Sequence, residues 1–240
     1  MYSGRVSCTL QQRREEEVMR NLMGLLKLDI KLVTPYWKWL VLFFGIALLM
    51  GILNNNDAGS IFMFSFAIFA GTCTAFPFEN TDKSNLNVLF ATLPTNRRSM
   101  LVARHIFFLV TLVIMLVAGI IVGIVLDLIM GNELSFTVMS LFACLAIGLY
   151  LFNVGFQTPF FYRYGYTKGR IFLWIPIIVV MVIVQLPQIL GAFGIEDGFN
   201  IFEVMFRNTT LTSFIAVGIG IVSIVVSFFF SRKVYLNKDF

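Results

Sequence analysis

Six long apolar runs limit what this chain can fold into more sharply than any other feature of it. They cover Tyr36–Leu53, Ser60–Phe78, Met100–Met130, Phe136–Gln157, Ile171–Ala192 and Thr210–Ser231. At a rise of roughly 1.5 Å per residue, a helix of about 20 apolar residues crosses the hydrocarbon core of a bilayer. Backbone polar groups find no water there, so a spanning run must satisfy them internally as a helix. The alternating ten-residue pattern of a membrane β-barrel is absent. The expectation is therefore an all-α polytopic membrane protein with six transmembrane helices. Composition excludes a soluble domain: 58% of residues are hydrophobic and 13% charged, against about 25% charged in soluble domains. The third run is long enough to tilt or to project beyond the bilayer.

The charges orient the six runs. The two ends of the chain, the second loop and the fourth loop would share one side of the membrane. That side holds Arg5, Arg13, Arg14, Arg20, Lys27, Lys31 and Lys38, then Lys83, Arg97, Arg98 and Arg104. Arg163, Lys168, Arg170, Arg232, Lys233 and Lys238 follow. Of the 18 Lys and Arg residues, only Arg207 falls on the other side. The bias of Lys and Arg toward cytoplasmic loops then places both termini in the cytoplasm. A net charge of +5 can indicate nucleic acid binding, but cations distributed in this way report membrane orientation, and no nucleic-acid partner is expected.

Residues 1–18 carry Arg13-Arg14-Glu15-Glu16-Glu17 without apolar periodicity and read as a disordered extension. Residues 19–240 read as a single six-helix transmembrane domain. Met1, Met19 and Met23 remain alternative starts. No signal peptide is expected, because the first long apolar run begins only after Pro35, behind a charged segment. Cys8, Cys73 and Cys144 lack disulfide or metal-ligand spacing and read as small packing residues.

Residues 20–34 form the pattern of an amphipathic helix lying in the interface. Arg20, Lys27 and Lys31 share one stripe, and Leu22, Leu25, Leu26, Leu32 and Val33 cover the other side. Asp29 falls on the apolar face, where a carboxylate needs a partner. The alternatives are an ion pair with an arginine of the 97–104 cluster or exposure at the helix edge. In the second loop, Leu86, Leu89, Phe90 and Leu93 repeat at helical spacing. Asn80 or Thr81 is the expected N-cap, Asp82 falls in the first turn, and Pro94 ends the helix. This predicts a short two-faced helix between runs two and three, either afloat on the membrane surface or docked to a soluble partner. The fourth loop, 159–170, interleaves aromatic and basic residues around Gly165 and Gly169, as expected at headgroups.

Several chemistries lack their motifs. There is no GxxxxGK[ST] phosphate loop, HExxH or GxSxG. Asp127 is the one acid inside a run, too little for a proton path. His105, at the end of a run, reads as non-catalytic. Asn153, Gln157 and the other polar residues within runs read as helix-to-helix hydrogen bonders, and Gly119 and Gly123 as a close-packing pair. The apolar segment Phe193–Asn208 is long for an outer turn and reads as lying at the outer leaflet.

The two loops resemble those of ABC-2 type permeases, and within them the subgroup of bacterial peptide exporters that moves phenol-soluble modulins or antimicrobial peptides. The resemblance rests on Leu28-Asp29-Ile30-Lys31, on an acidic segment followed by Leu93-Pro94-Thr95-Asn96-Arg97, and on Arg104. It rests also on Pro159, Tyr162-Arg163, Gly165 and Lys168, and extends over residues 20–235. It implies a non-enzymatic transport subunit in a bacterial plasma membrane, paired with a second copy or a paralogue. A separate ATPase would carry ATP and Mg, and this chain would hold no cofactor and no metal. The contact with that ATPase would fall on Glu79, Asp82, Lys83, Leu86, Leu89, Phe90, Arg97 and Arg98. The N-terminal helix, with Arg20, Lys27, Asp29 and Lys31, would lie in the interface. The cargo would be a hydrophobic or amphipathic peptide, toxin or drug. A six-span subunit that captures a vitamin for uptake is the alternative, disfavoured by the few polar residues in the runs. A purely structural membrane protein is a third, disfavoured by the two-faced helix.

Overall fold

The computed structural model describes residues 23–53, 58–84, 97–132, 135–179, 182 and 208–236. Those residues are helical apart from short turns and contain no strand. Helix α1 covers residues 23–33, and a 3-10 turn at Thr34–Tyr36 joins it to α2, Trp37–Leu53. The turn sits where Pro35 removes a backbone donor. Then follow α3 (Ala58–Cys73), α4 (Phe76–Lys83), α5 (Arg97–Met130) and α6 (Phe136–Gly169). A 3-10 turn, Arg170–Leu173, leads to α7 at residues 174–179, and α8 is Thr209–Leu236.

Five helical stretches among the described residues are long and apolar enough to cross a membrane: Met23–Leu53, Ala58–Lys83, Ser99–Met130, Phe136–Val179 and Leu211–Val234. The fourth runs from the fourth apolar run into the start of the fifth. Apart from residue 182, the rest of the fifth run, and the 193–207 outer segment, lie outside the described residues, as do residues 1–22 and 85–96. The expected disordered extension, Arg20, and the helix bearing Leu86, Leu89 and Phe90 therefore fall outside them too.

Helix α3 is the interior element, packed against α2, α5 and α6. Small residues make this possible. A Cβ on Gly59 would lie 2.3 Å from the Gly123 carbonyl oxygen, so α3 and α5 touch backbone to backbone. Gly119 meets Met63 in the same seam, so the glycine pair packs closely as its spacing predicts. Helices α6 and α8 form the most extensive contact. A Cβ on Gly148 would meet the Ala216 carbonyl at 2.5 Å, and one on Gly155 the Ser223 hydroxyl at 2.5 Å. Both steps are seven residues in the same direction, so α6 and α8 run parallel. Without a hydrophobic force between helices in lipid, such close approach supplies the packing. Large apolar side chains instead face outward, among them Val113, Ile114 and Ile121 of α5 and Phe214, Val222 and Phe230 of α8.

Three local expectations are corrected. The second run does not continue as one helix to Phe78: α3 ends at Cys73 and α4 begins at Phe76, with Pro77 in its first turn. Proline is suited to that position because the first-turn N–H has no intrahelical partner. Asn80, Thr81 and Asp82 consequently lie inside α4 rather than capping a new helix. Third, the helix of the fourth run does not stop at Gln157 before a loop at 159–170. The helix continues through Pro159, and the backbone breaks only at Gly165, where φ is +74°. Neighbouring helices stabilise such interruptions in membrane bundles.

Candidate functional site: the clasp around residues 76–83

Helix α4 bears FPFENTDK, and its polar residues point in three directions. On one side Asn80 links it to the N-terminal helix. The Asn80 amide donates to the Leu32 carbonyl at 2.5 Å, and the Tyr36 hydroxyl donates to Asn80 Oδ1 at 3.1 Å. The Tyr36 ring stacks on Phe76 with centroids 4.3 Å apart.

On a second side the site is ionic. Asp29 and Arg104 are both buried and lie 3.7 Å apart, Oδ1 to Nε. The partner that the apolar position of Asp29 demands is thus Arg104, from the first turns of α5. Arg104 also donates from Nη2 to the Thr81 hydroxyl at 2.8 Å, and its guanidinium lies 4.1 Å from the centroid of the Phe78 ring. Thr81 in turn donates to the Pro77 carbonyl at 2.6 Å. A buried arginine is tolerable only with such compensation. Phe78 completes the pocket against Phe108, Phe161 and Tyr162.

On the third side Asp82 reaches the break in α6. Its Oδ2 accepts from the Tyr166 N–H and, at 3.4 Å, from the Thr167 N–H. These are the first donors of the helical segment that restarts after Gly165, groups a helix start leaves unpaired. Asp82 therefore acts as an N-cap supplied from a distant helix, and its negative charge suits the positive end of that segment.

The remaining predicted residues divide plainly. Lys83 is exposed and pairs with Glu79 at 2.6 Å, one turn away. Lys27 and Lys31 are exposed on α1, opposite in character to buried Asp29. Arg97 begins α5, and the side chains of Arg97 and Arg98 lie outside the description. The clasp thus gathers Asp29, Glu79, Asp82 and Lys83, and adds Tyr36, Asn80, Thr81 and Arg104 as side chains that hold it. The apolar position of Asp29 pointed to the 97–104 arginine cluster or to exposure at the helix edge, and the partner found is Arg104. Nothing local marked Asn80 or Thr81 as more than a cap.

Elsewhere the polar groups of the spans serve packing. Asp127 Oδ1 accepts from the Gly59 N–H at 2.8 Å, capping the start of α3. Gln157 donates to the Gly71 carbonyl and to the Thr74 hydroxyl, both at 2.8 Å, tying α6 to α3. His105 contacts the Leu101 carbonyl at 2.9 Å through Nδ1, and its ring meets Phe108 and Phe228 edge-on. Among the described residues no group of three or more His, Cys, Asp or Glu could hold a metal ion.

Comparison with known proteins adds one match. A family model described as "ABC-2 family transporter protein" matches residues 24–236, nearly all of the chain. No curated protein and no solved structure matches it.

Proposed function

The chain belongs to the ABC-2 transporter family, and from that premise we propose that it is the membrane permease of an ATP-driven exporter. Membership implies a multi-pass membrane protein that works with an ATPase. The finer reading has six spans with both termini in the cytoplasm of a bacterial plasma membrane. Two permeases pair, as copies or paralogues, and each sits on one ATPase subunit that carries ATP and Mg. The cargo is hydrophobic or amphipathic, with peptides the leading class.

One observation carries the coupling part of this reading. Helix α4 is fixed on three sides by the clasp, yet ends in exposed Lys83, immediately before residues 85–96. A segment held so firmly at its base can bear load from a partner. The ATPase contact is accordingly assigned to Glu79 and Lys83 on α4, to Leu86, Leu89 and Phe90 beyond it, and to Arg97 and Arg98. Asp82 supports that surface from within. ATP-driven closure of the ATPase pair would then bias the spans between two arrangements.

The test is co-purification. The tagged chain should bring down an ATPase encoded beside it, and Leu89→Glu or Arg97→Glu should reduce recovery at least about tenfold, the effect of 1.4 kcal/mol on a binding constant. Undiminished recovery with both variants would remove the contact from this segment.

A further inference from the structure

Asp82 joins two parts of the chain that lie 84 residues apart in sequence. One is α4, which leads into residues 85–96. The other is the break at Gly165, through which α6 hands over to the Arg170–Leu173 turn and α7, the beginning of the fifth apolar run. Two features make this a built joint rather than a surface contact. Gly165 has a φ of +74°, a conformation that side chains disfavour. A Cβ there would also lie 2.8 Å from Asp82 Oδ2. The glycine both turns the chain and clears space for the carboxylate. The first two N–H groups beyond it then find their acceptor on α4 rather than within their own segment.

We propose that Asp82 is a positioning residue that makes α4 and the Gly165 turn a single mechanical body. Force applied just beyond Lys83 then reaches the start of the fifth run directly. Asp29, Arg104 and Asn80 anchor α4 to the N-terminal helix and to α5, so the joint has a fixed base. The source of the force rests on the permease reading above; the joint itself does not.

The joint is tested in the full-length chain in lipid nanodiscs, with Cys8, Cys73 and Cys144 replaced by Ser. Spin labels are placed on Lys83→Cys and Arg170→Cys, both at exposed positions. The distance distribution between them should be single and narrow. Asp82→Asn, which keeps an accepting oxygen, should preserve it, whereas Asp82→Ala should broaden it. Gly165→Ala, which crowds the same contact from the other side, should also broaden it, so the test survives if one variant folds poorly. Amide hydrogen exchange in residues 166–167 should rise about fivefold in Asp82→Ala, the scale of a lost helix cap. An unchanged distribution in Asp82→Ala, or equal broadening by Asn and Ala, overturns the proposal. A further arm adds the co-purified ATPase with ATP and Mg. Nucleotide should then shift a label at position 170 in the otherwise unaltered chain but not in Asp82→Ala; an equal shift in both overturns transmission through Asp82. If no ATPase co-purifies, the permease reading fails, while the distances and amide exchange still decide the joint.

Discussion

The α4 clasp and the α6–α8 seam hold helices together by opposite means. The clasp uses large polar and aromatic side chains: Asp29, Arg104, Thr81, Asn80, Asp82 and Phe78. The seam uses the lack of side chains, with Gly148 and Gly155 set against Ala216 and Ser223. Exposure differs in parallel. Asp29, Thr81, Arg104 and Phe78 of the clasp are buried, whereas Phe214, Val222, Phe230 and most other large apolar residues of α8 are exposed. Lipid accepts apolar surface, so α8 needs only one small-residue face in contact. A buried charge has no such freedom and must bring its partners with it. Adhesion between spans is therefore diffuse, and specificity is concentrated at one end of the bundle.

That contrast can be broken at its strongest point first. Arg104→Ala leaves Asp29 buried without its counter-ion and should destabilise the fold by ~3–5 kcal/mol, read from denaturant midpoints in detergent micelles. If the two charges act as one unit, Asp29→Asn combined with Arg104→Ala should cost clearly less than the sum of the single changes. Additive losses would mean that the pair does not couple. The small-residue contacts come next. Gly59→Ala forces α3 away from Gly123 and should cost ~1–3 kcal/mol, the range for overpacking; no change would show that this seam yields easily. Gln157→Leu should be milder, at about 0.6 kcal/mol, the average for a polar contact between membrane helices. Lys83→Ala should leave stability nearly unaltered, because the Lys83 end of its pair with Glu79 is exposed to solvent. A thermal shift in that variant would show that the Lys83–Glu79 pair helps to hold the clasp together.

Much of this architecture is legible in the residues, for physical reasons that can be named. Apolar runs of spanning length follow from bilayer thickness, and five such helical stretches are present among the described residues. Asp29 announced a partner because a carboxylate on an apolar face is costly, and Gly119 and Gly123 announced a close approach because they lack Cβ atoms. The errors arise where tertiary context decides. Asn80 and Thr81 are good capping residues, yet Pro77 in the first turn of α4 sets the helix boundary earlier. Residues 159–170 read as a loop, yet the helix continues through Pro159, among buried residues from Val154 to Phe161, and breaks only at Gly165. The Asp82 joint was invisible for a different reason. A cap supplied across 84 residues leaves no local spacing to read, and Gly165 was legible only as a turn.

Coupling to a cytoplasmic ATPase requires the segment after Lys83 to face the cytoplasm. In a chain with Cys8, Cys73 and Cys144 replaced by Ser, a cysteine introduced at Asn85 can be challenged with a membrane-impermeant maleimide. A cytoplasmic segment predicts no labelling on intact cells and full labelling in inside-out vesicles. Labelling on intact cells would place the segment outside the cell, beyond reach of any cytoplasmic ATPase, and would contradict the account.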